Sequence, residues 1–228
     1  MSKPTPHIEE PFQTIANGDG PRLLELLRDN PDLAKARNEK GDSPILYAAY
    51  RGHHRLVELL VDAGAEMDVF EAAVAGNGER VRALVAESPD LVKAYSHDGW
   101  TLLHLAAHFN RRDIAEYLLK HGADAGATSR KDSLAPGNTP LHAACASGHY
   151  DMAVFLLGQG AKVNATQENG MTPLHIAAAG HNVGLVQLLL EQKANPKAKD
   201  NEGRTPLAIA EQYERNELVD MLKNHVGG

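Results

Sequence analysis

The sequence predicts an all-α fold built from repeated pairs of short helices, and three observations carry that prediction. One stretch recurs along the chain: NTPLHAACASGH from Asn138, WTLLHLAAHFNR from Trp100, MTPLHIAAAGHN from Met171, RTPLAIAEQYER from Arg204 and, more loosely, DSPILYAAYRGH from Asp42. The spacing is regular, with 33 residues from Thr139 to Thr172, 33 again to Thr205, and 38 from Thr101 to Thr139. Each copy also carries the start and stop signals of two helices. A fixed period of this size marks an array in which each unit buries its apolar face only against its neighbours.

The elements follow in order within a unit. Thr or Ser before Pro, as at Thr139-Pro140, sets a capping hydroxyl ahead of a proline at the first helical position, where a missing N–H costs nothing. Small residues follow (Ala143 and Ala144, Ala177 and Ala178), then a residue suited to a left-handed turn, as at Gly52, Gly76, Asn110 and Gly148. The second helix is more apolar, with Leu56, Val57, Leu59 and Leu60, or Leu185, Val186, Leu188, Leu189 and Leu190, at spacings that give a wide buried face. It ends at Gly-Ala, as at Gly64, Gly122 and Gly160. Lys193 stands in that glycine slot, where a side chain costs about 1 kcal/mol.

Two divergent copies, reached through Phe12-Gln13-Thr14 and Phe70-Glu71-Ala72, bring the total to seven. After a tail of residues 1–8, residues 9–228 read as a single domain of units at about 9–42, 43–66, 67–100, 101–138, 139–171, 172–204 and 205–228. In the last, Arg215, Asn216, Glu217, Lys223 and Asn224 surround Leu218, Val219, Met221 and Leu222, the pattern of a cap with one wet side.

A period of 33 with TPLH, Gly-His and a Gly-Ala helix end resembles the ankyrin repeat, over nearly the whole chain. The stretches GAEMDVFEAAVAGN and ESPDLVKAYSHDGWT resemble bacterial members of that family. The resemblance implies an all-α ankyrin-repeat solenoid of stacked helix-turn-helix units, with β-turn or hairpin fingers and a concave face formed by the fingers and first helices. It implies a non-catalytic module that binds another protein as scaffold, tether or inhibitor, with no cofactor. It also implies that the TPLH histidines, His104, His142 and His175, hydrogen-bond within their own turn and towards the next unit.

Composition narrows the partner classes. The net charge is -7, and Lys and Arg form no run long enough to track a phosphate backbone, so nucleic acid is not expected. No apolar stretch approaches the roughly 20 residues that cross a bilayer. One cysteine and a start, MSKPTPHIEEP, without the basic and apolar segments of a signal peptide favour a cytoplasmic, soluble protein, with a monomer as the default.

The lone Cys145 stands three residues after His142, a spacing open to a base and nucleophile or to two metal ligands. Register argues for scaffold. Phe12, Leu46, Phe70, His104, His175 and Ala208 align with His142, and Ala49, Ala107 and Ala178 with Cys145. The alternative, a metal-dependent or enzymatic protein using surplus histidines, would draw on His97, Asp98 and His108, but HLAAH lacks the glutamate of a zincin helix.

Function on a generic scaffold belongs to what differs between units. Ser43 to Met67 spans only 24 residues, one finger short, and SRKDSLAPGN (129–138) is five residues long for its place and reads as a loop standing beyond the other fingers. At the positions that face the groove in ankyrin repeats stand Trp100, Met171 and Arg204, then Tyr50-Arg51, His108-Phe109 and Gln212-Tyr213. Trp, Tyr and Arg dominate interface energetics. The expected partner contacts are therefore Tyr50, Arg51, His97, Trp100, His108, Phe109, Met171, Arg204 and Tyr213, with Tyr50, Arg51, Trp100, His108 and Phe109 clustered across the missing finger.

Overall fold

A computed structural model describes residues 8–226 apart from Leu134 and His181, and, for Val226, the backbone alone. Among these residues fourteen α-helices follow one another as seven pairs, with no strand. Contact density divides the chain into two units, Met1–Glu87 and Ser88–Gly228.

The first unit holds α1 (Glu10–Ala16), α2 (Gly20–Asp29), α3 (Pro44–Tyr50), α4 (His54–Asp62), α5 (Val69–Ala75) and α6 (Gly78–Glu87), with a 3-10 turn at Pro31–Lys35. The second opens on a 3-10 turn at Pro89–Lys93 and continues with α7 (Leu102–His108), α8 (Arg112–Lys120), α9 (Pro140–Ala146), α10 (Tyr150–Gly158), α11 (Pro173–Ala179), α12 (Val183–Glu191), α13 (Pro206–Gln212) and α14 (Asn216–Val226). Within each unit every first helix packs on the next first helix, α1 on α3 on α5 and α7 on α9 on α11 on α13.

Each first helix is seven residues long, too short to persist alone in water. Capping and packing hold it. Ser43, Thr101, Thr139 and Thr205 each accept a hydrogen bond on the side-chain oxygen from the amide three residues on. Alanines such as Ala106, Ala107, Ala143, Ala144 and Ala178 are fully buried and let neighbouring first helices approach closely, while Leu102, Leu105, Leu141, Leu156, Leu174 and Leu189 fill the space behind them. Leu218 and Leu222 are buried beneath the exposed polar residues of α14, as the capping pattern requires.

The TPLH histidines are fully buried. His104 Nδ1 lies 2.8 Å from Thr101 Oγ1, and its Nε2 lies 2.8 Å from the Asn138 carbonyl of the following finger. His142 reaches Thr139 Oγ1 at 2.9 Å and the Met171 carbonyl at 3.2 Å; His175 reaches Thr172 Oγ1 at 2.9 Å and the Arg204 carbonyl at 3.1 Å. A neutral ring that accepts at Nδ1 and donates from Nε2 satisfies both ends. Burial pushes His104 and His142 down to about 4, and lowers His175 as well.

Two expectations need correction. In the third pair the cap is Asp68, not Met67, so the slot of His142 is filled by Glu71 and not by Phe70. The Glu71 carboxylate accepts from the Asp68 amide at 2.9 Å and pairs with Arg37 at 2.6 Å, with its side chain 4% exposed. No finger precedes α5, since residues 63–68 lead straight from α4 into it, and the Arg37 guanidinium reaches the buried acid there. The long loop, for its part, does not stand free. Its ends close on each other through Ser129 N–H to the Asn138 carbonyl at 2.8 Å, and it is tied to both neighbouring fingers, by Arg130 N–H to the Gly99 carbonyl and by Glu168 N–H to the Pro136 carbonyl.

Gly64, Gly122 and Gly160 have positive φ, and Lys193 shares that conformation at φ 66°; Glu214, in the slot of Gly148, is a further case at φ 55°. Substitution of Lys193 by Gly removes the side-chain penalty and should raise stability by up to about 1 kcal/mol, read as a higher urea midpoint at unchanged slope. An unchanged midpoint would show that the turn bears no strain.

Acid should weaken the fold through the buried imidazoles. Their folded-state pKa values lie below the ordinary 6.5, so the unfolded chain binds more protons as pH falls, and stability present above pH 6.5 is lost between there and pH 4. For His104 and His142 together the loss from pH 7 to pH 5 is on the order of 3 kcal/mol. Urea unfolding at the two pH values measures it, and His142→Leu, which puts into α9 the residue that α3 carries at Leu46, should flatten the dependence.

Candidate partner-binding surface

The finger of residues 95–101 is a tight hairpin. Tyr95 and Thr101 form an antiparallel bridge, the Ser96 amide donates to the Trp100 carbonyl at 2.8 Å, and Gly99 supplies the left-handed residue at φ 79°. Ser96 Oγ donates to the Asp98 carboxylate and accepts from the Trp100 amide at 3.1 Å. A side chain at position 99 would meet Arg130 and Ser133 Cβ atoms at 3.0 Å, so glycine serves both the turn and the loop packed on it.

This hairpin delivers Trp100 onto the end of α7. The indole is half-buried, tilted against His104 at 5.9 Å and edge-on to His108 at 5.3 Å, while His108 meets Phe109 edge-on at 4.8 Å. The next pair completes the cluster. Ser147 Oγ and His108 Nδ1 share a hydrogen bond of 2.9 Å, and His149 Nε2 donates to the His108 carbonyl at 2.9 Å. Burial lowers the His108 pKa, with the nearby His149 adding to the effect and Asp98 opposing it. The result is a fixed aromatic surface with one face open.

The remaining expected contacts belong to other elements. Tyr50, 39% exposed, and Arg51, whose guanidinium lies 4.5 Å from the Tyr47 ring, belong to the first unit. His97 is exposed on the Trp100 finger. Met171 is half-buried and lends its carbonyl to His142. Arg204 is held by its own finger, with Nε 2.8 Å from Asp200 Oδ2 and the other nitrogens paired to Asp200 and Glu202. Tyr213 is 49% exposed at the end of α13. Sequence reasoning did not single out Ser147, Asp200 or the Arg37–Glu71 pair. Asp200 was detectable four residues before Arg204, a separation that a single hairpin closes.

The histidine chemistry is committed elsewhere. Both ring nitrogens of His104, His142 and His175 are hydrogen-bonded, so none has a lone pair for a metal, and among the described residues no three His, Cys, Asp or Glu come together as ligands. Cys145 is buried and its thiol is pushed up to about 12, far from a thiolate at neutral pH. Ser147 beside His108 has the look of a nucleophile and base, but the adjacent amides of Gly148 and His149 donate to the Cys145 and Ala144 carbonyls, so neither is available as an oxyanion donor. No helix among the described residues is long and apolar enough to cross a membrane.

Comparison with known proteins agrees with this architecture. The family description "Ankyrin repeats (3 copies)" matches residues 69–167 and 155–227, and "Ankyrin repeat" matches 40–72. Curated relatives include the mouse Ankyrin repeat and SAM domain-containing protein 6, 30% identical over 50% of this chain and 10% of its own length. The Neurogenic locus Notch protein of Drosophila melanogaster is 36% identical over 49% of this chain and 4% of its own length. A rice protein named "Probable E3 ubiquitin-protein ligase XBOS32" is 32% identical over 68% of this chain and 38% of its own length. The chain thus spans less than two fifths of each of these relatives, and what they share with it is the repeat array. With family matches running from residue 40 to residue 227 along an array of helix pairs, the chain belongs to the ankyrin repeat family.

Proposed function

We propose that this chain is a binding module that recognises a partner protein through the finger and first-helix surface of its second unit, centred on Trp100, His108 and Phe109. Ankyrin repeats are generally protein–protein interaction modules, and the family is generally non-catalytic. The observation that carries the reading is the placement of the only tryptophan on a hairpin, half open to solvent, against an aromatic pair that Ser147 and His149 hold in place. Rigid aromatic anchors give large contact area at small cost in side-chain freedom, which is how a few residues come to dominate an interface.

His97 lies on the same finger, and Met171, Arg204 and Tyr213 are secondary contacts of the same unit. Arg204 acts through its backbone position and the outer face of its clamped guanidinium. Tyr50 and Arg51 form a separate contact of the first unit. We further propose that residues 9–228 act as one monomeric array in the cytoplasm, where a single buried thiol stays reduced, and that the partner is a protein and not nucleic acid, in keeping with the net charge of -7.

Affinity capture from lysate of the source organism, with the parent chain beside a Trp100→Ala/Phe109→Ala variant of verified helicity and urea midpoint, tests the reading. A partner held by the parent should be lost from the variant, since two central anchors together contribute roughly 4 kcal/mol, about a thousandfold in affinity. A partner retained equally by both would remove this surface from the proposal.

A further inference from the structure

The first unit carries a groove whose counterpart within the second unit is filled by a side chain. In the second unit, the residue that opens one second helix lies over the next second helix. Arg112, first in α8, sits 3.7 Å above the ring of Phe155, sixth in α10; the Tyr150 ring, first in α10, lies against Gly184 of α12. In the first unit the opening residue of α2 is Gly20, and the sixth residue of α4 is Leu59. Gly20 has no side chain, and the methyl groups of Leu59 and Leu56 pack directly against its backbone, where a Cβ would stand 3.0 Å from Leu59 Cδ1 and 3.3 Å from Leu56 Cδ2; no side chain reaches across from α2 at this place, and the groove opens beside it.

The groove between α2 and α4 measures about 580 Å³, a size that small recognition sites commonly have. Leu24, Leu56 and Leu59 give it an aliphatic lining, with Leu24 and Leu59 half-buried. Arg28 and Arg55 stand at its rim, both exposed and neither in an ion pair among the described residues. The one carboxylate in the lining, Glu25, faces both of these and is paired with Arg22 at 3.1 Å, which also holds Glu10 at 2.7 Å. The rim is therefore positive, in a unit whose acidic residues outnumber its Lys and Arg. Neighbouring acidic surface repels an anion generally and leaves this groove as the local exception.

We propose that the α2–α4 groove is a second docking site, separate from the Trp100 surface, for a partner segment that places carboxylates beside aliphatic side chains. Aliphatic residues of the segment sit on Leu24, Leu56 and Leu59, and its carboxylates meet the Arg28 and Arg55 guanidiniums, whose planar donors suit that pairing. The groove is open along one side, which admits a peptide segment lying across it and would leave an acyl chain in water.

The test is titration of the isotopically labelled full chain with an acetylated, amidated twelve-residue peptide carrying Leu and Glu at helical spacing, followed by amide NMR shifts. Saturable shifts are expected at Gly18, Gly20, Leu24, Leu56 and Leu59. The dissociation constant should rise at least tenfold in Arg28→Ala/Arg55→Ala, which changes exposed side chains only. The same peptide with Lys for Glu should not bind. Absence of saturable shifts, shifts at Trp100 and Phe109 instead, equal binding of the Lys peptide, or affinity unchanged in Arg28→Ala/Arg55→Ala would each overturn the proposal. So would saturation by decanoate in place of the peptide, since that would mark an acyl-chain site. Apart from shifts at Trp100 and Phe109, these outcomes leave the Trp100 reading untouched, since neither residue lines the groove.

Discussion

A seven-residue helix has too few internal hydrogen bonds to offset the entropy of ordering it, and the architecture follows from that constraint. The first helices α3, α5, α7, α9 and α13 are each capped at the start by a side chain and followed by a left-handed residue, and within each unit neighbouring first helices pack through alanines small enough to let the backbones approach. In the second unit the imidazoles of His104, His142 and His175 add the specific element. Each satisfies its own cap with one nitrogen and secures the carbonyl at the base of the next finger with the other. The first unit meets the same need without histidine. Phe12 and Leu46 fill the slot as apolar plugs, and Glu71 fills it as a buried carboxylate answered by Arg37.

Rigidity at the candidate surface is inherited from this framework. Trp100 sits directly before the Thr101 cap, so the ladder that positions His104 also positions the indole. His108 and Phe109 end the same helix, and Ser147 and His149, from the same place in the following pair, immobilise them. The surface costs the fold little, because its supports are groups that the stack already requires.

Most of the helices were legible in the sequence, and the reason is local. Thr-Pro, paired alanines and Gly-Ala act within a few residues of where they stand, and repetition multiplied a weak signal. The reading slipped at α5, where Asp68 replaces the Thr or Ser cap and the phase was taken from Phe70, one residue early; the capping box of Asp68 with Glu71 was present in the sequence but unrepeated. The candidate site was legible only in part. Trp100, His108 and Phe109 could be placed because they border repeated motifs, whereas the Asp200 clamp on Arg204 and the support of His108 by Ser147 depend on side-chain contacts that periodicity does not encode. The groove beside Gly20 was invisible for a related reason: it depends on how the side chains of α2 and α4 meet in space.

The fingers are joined by sparse bonds. Arg130 reaches Gly99, Glu168 reaches Pro136, and Asn201 reaches Asn169, each through one backbone amide and one carbonyl. Such a seam fixes the ends of a finger and ignores the length between them, which is how the insertion at 129–138 came to be accommodated: Ser129 and Asn138 close its neck while Lys131 and Asp132 stay in water. Chain growth at that point is nearly free of conformational consequence for the helices behind it, so the tip of this loop is a natural grafting port, where evolution or an engineer can add a new recognition sequence without rewriting the scaffold.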